Sequence, residues 1–169
     1  DYGTRRNHYC SILNAPIVGI TYGASGVWSW SDGASPVPGH GSGVPPAWKT
    51  MLDMPAAGQM THLIGFFQSV EYWRLKPVPG VLAKQPGEET ASRFISAAQT
   101  PEKDLTVIYT PTDRTIVVRP AALPGRIASE WFNPRTGGRT PTSGRTAAES
   151  VEFSAPADGD WLLVLKGEK

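Results

Sequence analysis

The stretch Ile17-Val18-Gly19-Ile20-Thr21-Tyr22-Gly23-Ala24-Ser25-Gly26-Val27-Trp28-Ser29-Trp30 decides the fold of this 169-residue chain. Its first part, residues 17–22, is apolar or β-prone at successive positions, the pattern of a strand covered on both faces as in a parallel sheet. Its second part turns to glycine and then to two indoles, the pattern of a strand end opening into a loop that meets a ligand. Upstream, residues 4–14 predict a helix. Thr4 is its candidate N-cap, Tyr9, Ile12 and Leu13 give a partial apolar stripe, and Pro16 stops it. A helix followed by a buried strand is half of a βα repeat.

Downstream, residues 23–47 are rich in Gly, Pro and Ser without an apolar period and predict one long loop, a length that in compact domains usually goes with function. Trp28, Trp30, His40 and Trp48 lie in it or at its edge. A second helix is expected from Asp53, as N-cap, to about Val70, with Pro55 in its first turn and Met60, Leu63, Ile64 and Phe67 on an apolar face. Residues 77–88 read as a linker rich in Pro and Gly. Beyond them the period changes to two, and strands are expected over 93–98, 105–110, 115–119, 127–133, 151–153 and 161–166. The turn Asn133-Pro134-Arg135-Thr136-Gly137-Gly138 is the clearest break, since Pro fixes φ and Gly supplies a positive one. Leu105, Val107 and Tyr109 alternate with Thr106, Ile108 and Thr110, which predicts one drier face. Short strands at this spacing point to a small antiparallel β-sandwich.

Sixteen Lys and Arg balance fifteen Asp and Glu, and 40% apolar with 18% charged residues is an ordinary globular composition. The scattered basic residues give no footprint for nucleic acid, and no apolar run reaches the roughly 20 residues that span a bilayer. Neither nucleic acid nor membrane is therefore expected as a partner. No signal peptide is seen, and the opening on Asp1, almost directly into a helix, predicts a chain that starts downstream of a true N-terminus. Cys10 is the single cysteine, read as a plain buried thiol before a nucleophile, with only His8 near it in sequence. His8, His40 and His62 lack metal-ligand spacing, the glycines match no phosphate or dinucleotide motif, and Ser25 is not in a nucleophile elbow. No metal and no cofactor are expected.

Aromatic rings among glycines and small polar residues suit sugars, whose C–H faces stack on an indole or phenol while hydroxyls meet polar neighbours. Tyr22, Trp28, Trp30, His40 and Trp48 are the candidates for such a platform, although Trp48 and one other indole can equally plug the loop onto the fold. Glycoside hydrolysis needs two carboxylates across the scissile bond. Asp32 reads first as a solvated turn residue and Asp53 as a helix cap, so no catalytic residue is assigned.

Taken together, Arg5-Arg6, Tyr9, Leu13, Gly19-Ile20-Thr21-Tyr22-Gly23, Gly26-Val27-Trp28, Trp48, Leu52-Asp53, Pro55, Gln59-Met60 and Tyr72-Trp73-Arg74-Leu75 resemble the end of the apiosidase-like glycoside hydrolases. That family has a (β/α)8 barrel, commonly followed by a small β-domain labelled as a collagen-binding domain of a collagenase. The Trp131-Phe132-Asn133-Pro134-Arg135-Thr136-Gly137 turn and the closing Asp160-Trp161-Leu162-Leu163-Val164-Leu165 resemble that second domain. The resemblance implies that residues 1–76 are the last helix, strand and helix of a TIM barrel, residues 77–88 a linker, and residues 89–169 the β-sandwich. It further implies that Tyr22, Ser25, Trp28, Trp30, His40 and Trp48 contact an oligosaccharide or polysaccharide, that the catalytic carboxylates lie on earlier strands, and that the protein is extracellular or periplasmic. Ser25 departs from the pattern, for relatives often carry a histidine there, and a different substrate contact is expected at that position.

Two functional readings follow. In the first, the chain is the C-terminal portion of a glycoside hydrolase acting on plant or other complex polysaccharides, partnered by the remainder of the barrel in an upstream chain or another chain. The alternative is a noncatalytic carbohydrate- or matrix-binding module, which needs an exposed row of aromatics on a sheet face. Tyr109, Trp131 and Trp161 are the residues that could form one, and their strand positions predict core instead.

Overall fold

The computed structural model describes residues 1–15, 19–39, 41, 43–147 and 149–168. Ile17 and Val18 of the deciding stretch, and His40, lie outside the described residues. The helices are α1 (Tyr2–Asn14), the single turn α2 (Ser25–Trp28) and α3 (Pro55–Gln68). The strands are β1 (Lys76–Pro77), β2 (Ser96–Gln99), β3 (Leu105–Thr110), β4 (Thr115–Val118), β5 (Ile127–Phe132), β6 (Arg139–Thr142), β7 (Arg145–Ala147), β8 (Ser150–Ser154) and β9 (Trp161–Gly167). They form a six-stranded sheet in the order β1-β2-β3-β9-β5-β6 and a three-stranded sheet in the order β4-β8-β7. Every pairing is antiparallel.

The six-stranded sheet is the middle of three layers. On one face, Val107, Tyr109, Phe132, Leu162 and Val164 pack against Tyr9 and Leu13 of α1 and Met60, Leu63, Phe66 and Phe67 of α3. On the other, Ile108, Trp131, Leu163 and Leu165 pack against Ile116 and Val118 of β4 and Phe153 of β8. All six residues of β3 are therefore buried, where its alternation predicted one wetter face. The alternation assumed solvent on one side, and the helices occupy that side. Residues 77–88 contribute Val81 and Leu82 to the inter-sheet core, and β1 pairs Lys76 with Gln99 and Pro77 with Ala98.

Helix α1 starts two residues earlier than expected, with Asp1 and not Thr4 at its N-cap because the Asp1 carbonyl already accepts the Arg5 amide at 3.1 Å, and it buries Arg5, Tyr9 and Leu13 at i, i+4 and i+8. Helix α3 differs in two respects. It begins at Pro55 with Met54, not Asp53, at the N-cap, because the residue before a proline is driven to extended backbone and Pro itself favours the first helical position. Its orphan amide at Ala56 donates to the Asp1 carboxylate at 3.0 Å, so the cap is supplied from the start of α1. The buried stripe takes Phe66 and leaves Ile64 52% exposed. Strands β6 and β7, and the proline-bearing β1, were not foreseen, while β2 starts three residues late because Ala91–Arg93 is a 3-10 turn.

The expected strand over 17–22 is not realised among the described residues: residues 19–24 belong to no sheet, with Gly19 and Thr21 exposed and Ile20 and Tyr22 half-buried against α1 and α3. A buried parallel strand needs parallel neighbours, and every strand pair here is antiparallel. His8 ties this segment to α1, its Nε2 lying 3.0 Å from the Thr21 carbonyl and its Nδ1 2.7 Å from that of Thr4. Cys10 is half-buried and burial pushes its thiol up, the opposite of nucleophile activation.

A buried ion pair joins the helical layer to the sheet. Arg5 donates from Nε and Nη2 to the two oxygens of Asp160, each at 2.8 Å, and from Nη1 to Gln59 Oε1 at 2.7 Å. The Tyr109 hydroxyl donates to the same carboxylate at 3.2 Å, and Tyr9 stacks on Tyr109 with ring centres 5.2 Å apart. At the sheet edge Arg139 lies 5.5 Å from the Phe66 ring and 5.4 Å from the Phe132 ring, and donates to Ser69 Oγ at 2.8 Å.

Two outcomes are expected. Arg5→Met or Asp160→Leu alone strands a buried charge and lowers unfolding free energy by about 3–5 kcal/mol, whereas the double replacement costs much less; urea titrations of the three variants measure the difference. The phenols of Tyr9 and Tyr109 are pushed up by burial and, after that, by the Asp160 carboxylate. Their folded pKa values exceed the unfolded value of about 10, so the native state holds protons the unfolded chain has lost, and stability falls as pH rises above about 10. Thermal melts between neutral pH and pH 11 show the fall, and Tyr109→Phe flattens it.

Candidate functional site

Residues 22–48 carry the exposed aromatics, and the segment is fixed by its backbone. Ala24 is extended, Ser25–Trp28 makes one helical turn, and Ser29 closes it with its amide and hydroxyl on the Ser25 carbonyl. Trp30 follows with φ of 50°, left-handed backbone that a bulky residue adopts only when its surroundings enforce it. The enforcement is visible: Trp30 N donates to Val27 O at 3.2 Å and Ser31 N to Gly26 O at 3.0 Å. Buried Ser31 then clasps the far end of the segment. Its hydroxyl donates to the Pro45 carbonyl at 2.9 Å and accepts from Gly33 N at 3.0 Å, and its carbonyl accepts from Trp48 N at 2.8 Å.

Gly26 lies beneath this clasp. A Cβ there would stand 2.2 Å from the Pro46 carbonyl oxygen and 2.9 Å from Met51 Cγ, so only glycine admits the close approach of α2 to the 3-10 turn Trp48–Met51. The clasp presents Trp28, 51% exposed, and Trp30, 71% exposed, while Trp48 is half-buried with its ring edge-on to that of Trp30 at 5.2 Å and 71°. Lys49 Nζ lies 5.6 Å from the centre of the Trp48 ring.

Among the residues singled out from sequence, Trp30 and Trp48 are brought together, and Trp28 lies one helical turn before them with its Cδ1 beside Gly23. Ser25 is half-buried at the first position of that turn. Tyr22 packs against the core under α1 and α3 instead of standing in the exposed group. His40 is outside the described residues. Lys49 was missed, and its signal was only its place next to Trp48. Trp73, 62% exposed and edge-on to Tyr72, was also not singled out.

Asp32 is the only carboxylate between residues 19 and 52. It is exposed and accepts from Ala34 N at 2.8 Å, the geometry of an Asx turn. Its partner for two-carboxylate chemistry does not come from this segment. Among the described residues no cluster of three or more His, Cys, Asp or Glu is placed to hold a metal, and no helix is long and apolar enough to cross a membrane.

Two family models match the chain: "Apiosidase-like, catalytic domain" over residues 1–74 and "Putative collagen-binding domain of a collagenase" over residues 77–166. A solved structure titled "Glycoside hydrolase" superposes with a TM-score of 0.78 at 22% identity, covering 99% of this chain and 37% of that one. A glycoside hydrolase family 5 structure from Bacteroides vulgatus ATCC 8482 gives 0.77 at 19% identity, covering 98% and 36%. At such identities the likeness speaks for the fold, and the chain spans little more than a third of the length of either structure. No curated protein matches it.

Gly26→Ala is expected to push the Trp48–Met51 turn off α2, since the atom in the way is backbone. Overpacking of this kind costs about 1–3 kcal/mol; a lowered Tm with altered tryptophan emission and unchanged far-ultraviolet helix content is the signature to measure.

Proposed function

From the premise that this chain belongs to the family of the "Putative collagen-binding domain of a collagenase" through residues 77–166 and is matched over residues 1–74 by the model of the apiosidase-like catalytic domain, we propose that it supplies the substrate-contacting wall of a glycosidase whose catalytic carboxylates lie elsewhere. The observation that carries this reading is the segment over 19–30. It runs half-buried between α1 and α3 without a strand partner among the described residues, and continues directly into a clasp that leaves two indoles exposed.

Among the described residues this segment has no ladder partner, and beside it Ile12, Ile20, Leu63, Ile64, Phe67 and Tyr72 line an apolar groove of about 210 Å³. Both features are accounted for if residues 1–76 are the closing helix, strand and helix of a (β/α)8 barrel. The neighbouring strands of the barrel then pair with residues 19–22 and fill the groove, contributed by an upstream chain or another chain. The relatives' greater length is consistent with this. Loops after barrel strands form the active-site face, and the segment over 22–48 is such a loop.

In that setting Trp28, Trp30 and Trp48 stack on sugar C–H faces, the Ser25 hydroxyl meets a substrate hydroxyl, His40 lies along the same loop, and Tyr22 supports the stem. The reaction is O-glycosyl hydrolysis of a plant or other complex polysaccharide by two carboxylates on earlier strands. Residues 89–169, after the stretch 77–88, act as a rigid support. The competing reading, a noncatalytic carbohydrate- or matrix-binding module built on the sheets, is disfavoured because Tyr109, Trp131 and Trp161 are all buried.

Trp28→Ala and Trp30→Ala in the complete enzyme are expected to lower kcat/KM on an oligosaccharide substrate roughly tenfold each, about 1.4 kcal/mol, with Tm nearly unchanged because both rings are more than half exposed. Wild-type kinetics in both variants would remove the loop from the substrate site.

A further inference from the structure

The three-stranded sheet has an outward face on the side of the molecule away from α1 and α3. Ile116 and Val118 of β4 point into the inter-sheet core, so Thr115 and Val117 point out, and Val117 is directly opposite Glu152 of β8. Over this face lies a cleft of about 430 Å³ lined by the cations Lys84, Arg93 and Arg114, the carboxylates Asp113 and Glu152, and Pro86, Thr115 and Val117. Its volume falls within the range of about 300–1,000 Å³ typical of small-ligand sites.

The walls of the cleft are built, not loose. The Ala83 amide donates to the Val117 carbonyl at 2.8 Å, which fixes Lys84 beside β4. The Gln85 side chain joins one wall to the other, accepting from the amides of Ile95 at 2.9 Å and Gly87 at 3.1 Å and donating to the Ile95 carbonyl at 2.8 Å. Gly87 packs so closely on Phe94 that a Cβ would stand 2.4 Å from Phe94 Cα. Arg93 is oriented by Asp113, whose carboxylate accepts from its Nε at 3.1 and 3.2 Å and from Nη2.

Charge decides what such a cleft takes. Three cations line it against two carboxylates, and both carboxylates are already engaged, Asp113 by Arg93 and Glu152 by Arg145 at 3.0 Å. Among the described residues Lys84 has no carboxylate partner, Arg93 keeps Nη1 without one, and Arg114 approaches highly exposed Asp158 at 3.6 Å and donates from Nη2 to the Ala155 carbonyl at 3.5 Å. A planar carboxylate answers an oriented guanidinium with a neighbouring ammonium. The apolar floor of Pro86 and Val117 and the Thr115 hydroxyl suit the ring that bears it.

We propose that this cleft is a second glycan-binding site, separate from the aromatic loop, which takes a carboxylate-bearing sugar of a polysaccharide between Lys84, Arg93 and Arg114. Choosing a sugar polymer over another carboxylate rests on the functional reading above; the choice of an anion rests on the cleft alone. The site would hold an acidic stretch of polymer while the loop over 22–48 engages another part.

The test is affinity electrophoresis and calorimetry of the 169-residue chain with polygalacturonate, with its methyl-esterified form as the uncharged match and poly-glutamate as the non-sugar polyanion. Expected are binding to polygalacturonate only, a loss of about tenfold in Lys84→Ala/Arg114→Ala, and wild-type binding in the remote control Arg126→Ala. Failure to bind polygalacturonate, equal binding of the ester or of poly-glutamate, or full binding by Lys84→Ala/Arg114→Ala overturns the proposal. An equal loss in Arg126→Ala also overturns it, as diffuse charge attraction. The kinetics of Trp28→Ala and Trp30→Ala in the complete enzyme bear only on the loop, so the two readings fail separately.

Discussion

The bidentate pair between Arg5 and Asp160 is the constraint on which the arrangement of layers depends. Its partners stand 155 positions apart, one on the first helix and one at the entry to the central strand β9. Burying two charges costs several kcal/mol per ion unless every strong hydrogen-bonding group is met. Here the carboxylate takes two guanidinium bonds and a phenol, and the guanidinium's third nitrogen, Nη1, donates to Gln59 of α3. One network therefore fixes α1 to the sheet, α3 to α1, and Tyr109 of β3 beneath both. A shift of either helix along the sheet would break several of these bonds together, and hydrophobic packing alone has no such directional demand.

From that anchoring follows the dryness of the middle layer. With α1 and α3 held on one face and the three-stranded sheet on the other, the six-stranded sheet is covered on both sides, and β3 and most of β9 are buried throughout. An antiparallel sheet commonly leaves one face to water. Losing that option brings polar residues such as Ser96, Gln99, Thr106 and Thr110 inside, and the protein satisfies them locally: Gln99 donates to Thr106 Oγ1 and to the Ala122 carbonyl at 2.8 Å each, and Thr110 donates to the Asp113 carbonyl at 2.8 Å. Arg139, lying over the adjoining rings of Phe66 and Phe132, covers the edge where α3 meets β5 and β6.

Much of this was legible in local pattern. The turn at 133–138 folds as its residues demand, with Gly137 at φ of 74° and the Asn133 side chain accepting the Arg135 amide at 2.9 Å. What was not legible is what tertiary partners decide. Arg5 sits on the same i, i+4, i+8 stripe as Tyr9 and Leu13, but a charge in a helix reads as a solvated face until its partner is known. Asp53 has the composition of a cap, yet Pro55 moves the helix start past it and Asp1 supplies the hydrogen bond from elsewhere. Strands β1 and β6 contain Pro77 and Pro141, which breaks the alternation by which strands are recognised, and both lie at sheet edges where a missing amide is tolerated.

The aromatic segment shows the same division between what residue type announces and what neighbours complete. Its exposed indoles could be read from glycine and tryptophan content, but their rigidity could not, because it comes from Ser31 reaching across to Pro45 and Trp48. That rigidity costs free energy, since Trp30 is held in left-handed backbone and large apolar rings are held in water. Nothing in the packing of the three layers requires either feature. A fold that relieved both would place Trp28 and Trp30 against the apolar groove beside residues 19–20, which is close in sequence and lined by Ile12, Leu63 and Phe67. The chain instead turns the indoles away at Ala24 and fastens them with Gly26 and Ser31. The strain and the exposure are what the proposed substrate wall accounts for, and the open groove is what the proposed barrel neighbours would fill.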